Sequence, residues 1–214
     1  MRTTSRRVLA GVIAGVAIAA GVTAGSGTAA RADPPDQRPL TAKSLLQSED
    51  VQTVYPSYTS IKAEASTTPG DDRLSACTVD KDLSDVIGVE KTWYGTMQQD
   101  RDDDTLIKIT QQAAHDGRTD GDAYRSFVTI TAALDNCVAQ MIDGLIYHAG
   151  IPVDSDAARH AVYYPQVDDD MNLLGATIVV TNQDHVNVLE VSSLHPITEK
   201  QLAKITKLAV VRLR

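Results

Sequence analysis

The stretch Asp122–Gly144 constrains the fold more than any other part of the chain. Tyr124, Phe127, Val128, Thr131, Leu134, Val138, Met141 and Ile142 recur at steps of three and four. At 3.6 residues per turn such spacing is one stripe of an α-helix, so a long amphipathic helix is expected here. Asp122 suits its N-cap, because a carboxylate accepts from the free amides of a first turn. Gly144 suits its end, because glycine enters the left-handed conformation without steric cost. Cys137 falls beside the apolar stripe, and Cys77 is the only other cysteine.

Residues 1–32 read as an address. Arg2, Arg6 and Arg7 form a basic start, Val8–Gly25 is uncharged and rich in Ala, Val and Gly, and Ala30-Arg31-Ala32 is a small-x-small cleavage site. These features predict a secretory signal peptide. Ser5-Arg6-Arg7-Val8-Leu9 also has the look of a twin-arginine signal, which would mean export of a folded chain. No cysteine lies near the cleavage site to carry a lipid, so no stable membrane anchor is expected after cleavage, and the location is secreted, extracytoplasmic. Cleavage removes four arginines and no acid, leaving 16 basic against 28 acidic residues, a net charge of −12. Such a chain repels phosphate backbones and anionic membranes, so nucleic acid is not an expected partner.

Residues 33–39, with three prolines, read as a flexible linker, and residues 40–214 as a single domain large enough for a core of its own. An exported chain with two cysteines is expected to join them. A Cys77–Cys137 disulfide would close a loop of about 60 residues, worth roughly 4 kcal/mol on the chain-entropy account.

Short helices are expected over Thr41–Leu46 and Glu49–Tyr55, the second capped by Ser48, then a weak strand over Ser57–Ala65 and a helix over Asp80–Ile87. Lys91–Gln99 and Thr105–Ala114 read as an antiparallel pair turning at residues 100–104. Strands follow at Leu145–His148, His160–Pro165, Leu173–Thr181 and Val186–Ser193, the last two a hairpin around Asn182-Gln183-Asp184. Thr198-Glu199-Lys200-Gln201 is a capping box, with Ile197 and Leu202 as its hydrophobic staple and Leu202, Ile205, Leu208, Ala209 and Leu213 as the buried stripe beyond it. The order predicts an α+β domain, an antiparallel sheet with two long helices packed on one face and short N-terminal helices.

Catalytic and metal motifs are missing. The acidic runs starting at Asp100, Asp116 and Asp168 each fail the EF-hand pattern: Thr105 and Leu173 stand where glycine is needed, and Gln111, Phe127 and Val179 where glutamate is. They read as solvated turns. His115, His148, His160, His185 and His195 show no metal-ligand spacing; a two-histidine site from His148 and His160 on neighbouring strands is the one arrangement weighed, against ordinary strand histidines. G-x-S-x-G and phosphate-binding glycine loops are absent, and a disulfide would remove the thiols as nucleophiles. No metal, no cofactor and no catalytic residue is expected. Trp93-Tyr94 and Tyr163-Tyr164 are aromatic pairs whose members face opposite sides of a strand, so they either pack across strands or floor a cleft. The candidate cleft residues are Trp93, Tyr94, Tyr163, Tyr164, His148 and His160.

Leu45-Leu46-x-Ser48-Glu49-Asp50-Val51, a cysteine before a short helix, Leu106–Ala114 running into Ala123–Cys137, the hairpin Thr177–Val191 and the closing helix together resemble the extracytoplasmic sensor domain of actinobacterial proteins, the type carried outside the membrane by the mycobacterial Ser/Thr kinase PknH and by secreted relatives. The resemblance covers about residues 40–213. It implies a strongly bent antiparallel sheet flanked by helices, with a cleft for an unidentified ligand and no established catalytic residues. Two departures stand out: such domains often have two disulfides where this chain allows one, and this chain has neither a kinase domain nor a membrane span after its signal. The expectation is a secreted, stand-alone, non-enzymatic sensor-like domain binding an unknown small molecule or envelope protein. The alternatives are an acidic protein-interaction or inhibitor module and, less favoured, a hydrolase built on His148 or His160.

Overall fold

A computed structural model describes residues 39–68, 91–101, 104–115, 122–154, 159–182 and 184–213. The chain divides into two units, Met1–Asp36 and Gln37–Arg214, and every described element belongs to the second. The expected signal peptide, the Asp80–Ile87 helix, Cys77 and the loop at Pro69–Asp72 lie outside the described residues.

The described elements are a 3₁₀ turn (Ala42–Ser44), α1 (Ser48–Val54), β1 (Lys62–Ser66), β2 (Lys91–Arg101), β3 (Asp104–His115), α2 (Asp122–Asp135), β4 (Met141–Ile142), β5 (Leu145–Tyr147), β6 (Ile151–Pro152), β7 (His160–Val167), β8 (Leu173–Thr181), β9 (His185–Ser193) and α3 (Glu199–Arg212). All nine strands form one antiparallel sheet in the order β1-β2-β3-β9-β8-β7-β5-β4, with β6 also pairing β7. Register shifts at Gln99/Asp100 and Gln166/Val167 are bulges, which bend and twist a strand locally.

The two long helices lie on opposite faces of this sheet, not on one as the sequence order suggested. Neighbouring strand residues point to opposite faces. Ile107, Ile109, Ala113, Ala161, Tyr163, Ala176, Ile178, Val180, Leu189 and Val191 face α1 and α3, where they meet Val51, Val54, Leu202, Ile205 and Ala209. Their neighbours Ala114, Val162, Tyr164, Val179, Val186 and Val188 form a second cluster with Ile130 and Leu134 of α2. Runs such as Ala161-Val162-Tyr163-Tyr164 lack the alternation of a half-exposed strand because both faces are covered.

The helix expected over Asp122–Gly144 starts at Asp122 and stops at Asp135. Beyond it a turn carries Ala139 at φ 64, and Met141 and Ile142 enter β4. Gly144 is left-handed at φ 80, but it acts in a hairpin: Asp143-Gly144, both at positive φ, link Ile142 to Leu145. Asp-Gly is the sequence that a two-residue loop of this hand prefers. The buried stripe of α2 is also rotated from the expected one. Ala123, Ser126, Ile130 and Leu134 are buried, whereas Tyr124, Val128 and Met141 are exposed.

Gln47, not Ser48, caps α1. Its backbone amide donates to Asp50 Oδ2 (2.9 Å) and its side-chain Nε2 donates to the carbonyls of Ala42 (2.9 Å) and Leu45 (2.8 Å). Arg212 at the end of α3 donates from Nε and Nη2 to the same Asp50 carboxylate at 2.7 and 2.9 Å. The capping box of α3 forms as read: Gln201 N donates to Thr198 Oγ1 (3.2 Å) and Thr198 N to Gln201 Oε1 (2.8 Å), above the buried pair Ile197 and Leu202.

Candidate functional site

Strand β7 sets up the site by alternation. Its even members His160, Val162 and Tyr164 point to the α2 face. Phe127, Thr131 and Asp135 of α2 stand four residues apart on one flank of the helix and form the opposite wall. The segment from Gly150 through Asp154, with Arg159, closes the third side. Together they line a groove of 540 Å³, within the size range of small-ligand pockets.

Two contacts fix this geometry. A Cβ added at Gly150 would come within 2.9 Å of the Tyr164 ring and of Val162, so only glycine lets the arm pass this close to β7. The Tyr164 hydroxyl lies 3.1 Å from the Thr131 carbonyl and 3.0 Å from Asp135 Oδ1, tying the floor of the groove to the helix. Burial, then the hydrogen bond and negative charge of Asp135, push the Tyr164 hydroxyl well above the ordinary tyrosine value, so it stays protonated and a donor. At the mouth, the His160 ring lies 4.5 Å from Tyr124 and 5.7 Å from Phe127 between centroids, and Tyr124 and Phe127 are 6.2 Å apart and nearly parallel. These are favourable separations for aromatic pairs. Tyr124, 52% exposed, turns part of its ring to solvent.

Of the six cleft residues expected from sequence, the groove gathers His160 and Tyr164. Tyr163 is on the other face, buried among the residues under α3, where burial first and Glu199 second raise its hydroxyl's pKa. Trp93 also packs on that face, its indole N–H donating to the Leu40 carbonyl at 3.1 Å. Tyr94 faces the α2 side but stands on β2, four strands and roughly 19 Å from β7 at the usual strand spacing. His148 donates its backbone N–H to Pro165, five residues along β7 from His160, or roughly 16 Å. The two histidines therefore do not form a pair.

Phe127, Thr131, Asp135, Gly150, Asp154 and Arg159 were not expected in a site. The three-and-four spacing predicts Phe127 and Thr131 in the helix core; the signal against it is the second stripe of α2, whose small members Ala123 and Ser126 suit close contact with a sheet. Two of the acidic turns have local employment, and the run starting at Asp116 lies outside the described residues. Asp168 Oδ1 accepts from the amides of Asp170 (3.0 Å) and Asn172 (2.8 Å), and its Oδ2 from Asn172 Nδ2 (3.0 Å). The side chain and backbone of Asn172 thus hold that carboxyl below its ordinary pKa. Asp100 accepts from Gln98 Nε2 and from Thr105 Oγ1, with the same effect. Among the described residues no helix is long and apolar enough to cross a membrane.

No family model matches the chain, and no curated protein matches it. Among solved structures, the chain is similar to the extracellular domain of PknH from Mycobacterium tuberculosis, with a TM-score of 0.58 and 14% sequence identity, covering 83% of this chain and 98% of that one. At that identity the likeness is one of fold.

Proposed function

We propose that the chain is a secreted, stand-alone, sensor-like domain that binds a small organic ligand in the groove between α2, β7 and the arm at Gly150–Asp154, without catalysing a reaction on it. The observation that carries this reading is the groove itself, with the aromatic rings of Phe127 and His160, both backed by Tyr124, over a polar floor of Tyr164, Thr131 and Asp135. Apolar walls with a few placed polar groups are what small-molecule sites require. The fold likeness to an extracellular domain and the export signal support an extracytoplasmic location and a relationship to the actinobacterial sensor domains.

The test is native mass spectrometry of the mature chain taken gently from its secreted fraction. A mass excess that disappears on denaturation is expected, and Tyr124→Ala and His160→Ala should each lower its occupancy about fivefold, the equivalent of one lost aromatic contact. A ligand retained equally by both variants would move the site elsewhere, and a clean apo mass would count against the reading. The net charge of −12 that the expected cleavage would leave favours a second reading, an acidic module that captures a basic envelope protein. Capture by that route must weaken as salt rises. The chemistry of export also supports a Cys77–Cys137 disulfide, with Cys137 wholly buried just past α2. Intact mass without reductant should show no alkylatable thiol.

A further inference from the structure

The groove between α2 and β7 is polarised along its length, and both walls run the same way. On α2, Phe127 and Asp135 stand two helical turns apart, about 12 Å at 1.5 Å per residue. On β7, His160 and Tyr164 are separated by about 13 Å of extended strand. Ring contact joins His160 to Phe127, and the hydroxyl bond joins Tyr164 to Asp135. One end is therefore aromatic and the other carries a carboxylate. Asp154 and Arg159, of opposite charge, belong to the aromatic end, where the neighbouring Val153 amide donates to the Ala161 carbonyl at 2.9 Å. Among the described lining residues, no basic side chain stands at the Asp135 end.

The hydrogen-bonding capacity of the Asp135 end is one-sided. A hydroxyl has one hydrogen and two lone pairs. The Tyr164 hydrogen is directed to Asp135 Oδ1 and the Thr131 carbonyl, 3.0 and 3.1 Å away. The Thr131 hydroxyl donates back along its own helix, toward the carbonyls of Phe127 (3.0 Å) and Val128 (3.1 Å). Both side-chain hydrogens are engaged, so these groups have only acceptors left for a ligand. Chief among them is Asp135 Oδ2, which has no donor among the described residues. The carbonyl end of α2 adds partial negative charge at the same place. We infer that the ligand of this groove is an organic cation, an ammonium or guanidinium on an apolar body, with its N–H donors on Asp135 and its body against Phe127 and His160. The inference rests on the groove reading above and adds the charge and direction of the ligand to it. An anion would meet Asp135 with no hydrogen to receive, whereas N–H groups supply what this end lacks and make charge-assisted bonds. Ring faces at the other end suit an aromatic or aliphatic body. The excess of acidic over basic residues, 28 against 20, draws a cation inward.

The experiment is calorimetric titration of the mature chain with three probes of one length, 6-phenylhexylamine, 6-phenylhexanol and 6-phenylhexanoate. The amine should bind about tenfold tighter than the alcohol, and the carboxylate weakest of the three. Asp135→Asn keeps an acceptor for the Tyr164 hydroxyl; it should weaken the amine about tenfold and the alcohol less than about twofold. Glu64→Gln, on the far edge strand β1, should change neither, which separates a local contact from the field of the whole chain. Equal affinity for amine and alcohol, or an amine affinity that Asp135→Asn leaves unchanged, would overturn the inference. If His160→Ala still weakens the probes in that case, the groove stands and only the cationic class falls. No binding of the amine also rejects the class, and the native mass measurement then decides the groove separately.

Discussion

The Tyr164 hydroxyl belongs to both the groove and the α2 core, and removing it tests that double role. Tyr164→Phe keeps the ring but leaves the Thr131 carbonyl and Asp135 without their donor, so it should lower stability by about 1 kcal/mol in denaturant titration. Glu190 makes a pH-dependent case. It stands on the α2 face of β9, opposite Thr177 and Thr110, where burial raises its pKa, Lys108 partly opposes the rise and Asp143 adds to it. The folded pKa lies above the unfolded one, so folding favours the protonated form. The contribution is favourable below about 4.5, the ordinary value, and is lost as pH rises through the folded pKa. Glu190→Gln should therefore raise the melting temperature at pH 7 and change it little at pH 4. An equal gain at both pH values would exclude the titration as the cause. Tyr164 was legible as a cleft residue, but its bonds to Thr131 and Asp135 and the burial of Glu190 were not, because they depend on elements that lie far away in the chain.

At the scale of elements, the closing helix was legible almost to the residue, because its signals are local: a capping box, a staple and a stripe over four turns. The β2–β3 and β8–β9 pairs were legible for the same reason, whereas the β4–β5 hairpin at Asp143-Gly144 was not. Helix α2 was legible as a helix but not in its length or its buried face. Its sequence offers two stripes, and the sheet chose the smaller residues, Ala123 and Ser126, which let it approach closely. Past Asp135, the Asp143-Gly144 turn outcompeted the helical period. Leu134→Ala should thus cost about 2–5 kcal/mol, while Val128→Ala on the same helix should cost less than about 0.5 kcal/mol. Similar losses at both would mean the other stripe is buried. The segment before α1 is fixed by Gln111, whose side chain pairs with both the amide (2.9 Å) and the carbonyl (3.2 Å) of Leu46. Gln111→Leu should cost about 1–3 kcal/mol in thermal or chemical denaturation, since two backbone groups lose their partner.

The whole molecule places a helix on each face of the sheet, a fact that no single stretch contained. It follows from strands that bury both faces, which reads in sequence only as too much apolar residue for a half-exposed strand. Asp50 joins the beginning and end of the domain through α1 and Arg212. Asp50→Ala removes a cap and a bidentate partner together and should cost about 1–2 kcal/mol, whereas Arg212→Ala, at the more exposed end, should cost less than about 1 kcal/mol. The reverse order of losses would show that the arginine matters for more than this carboxylate. The β3–β9 pairing has a consequence for how the protein is made. It joins partners 70 to 86 residues apart, from His115 with His185 to Ile107 with Ser193, in the middle of the sheet. During synthesis, β3 waits with an open edge until β9, at least 70 residues further on, has left the ribosome, and such edges recruit other strands. The nascent chain therefore depends on whatever shields that edge, and the dependence ends only when β9 arrives.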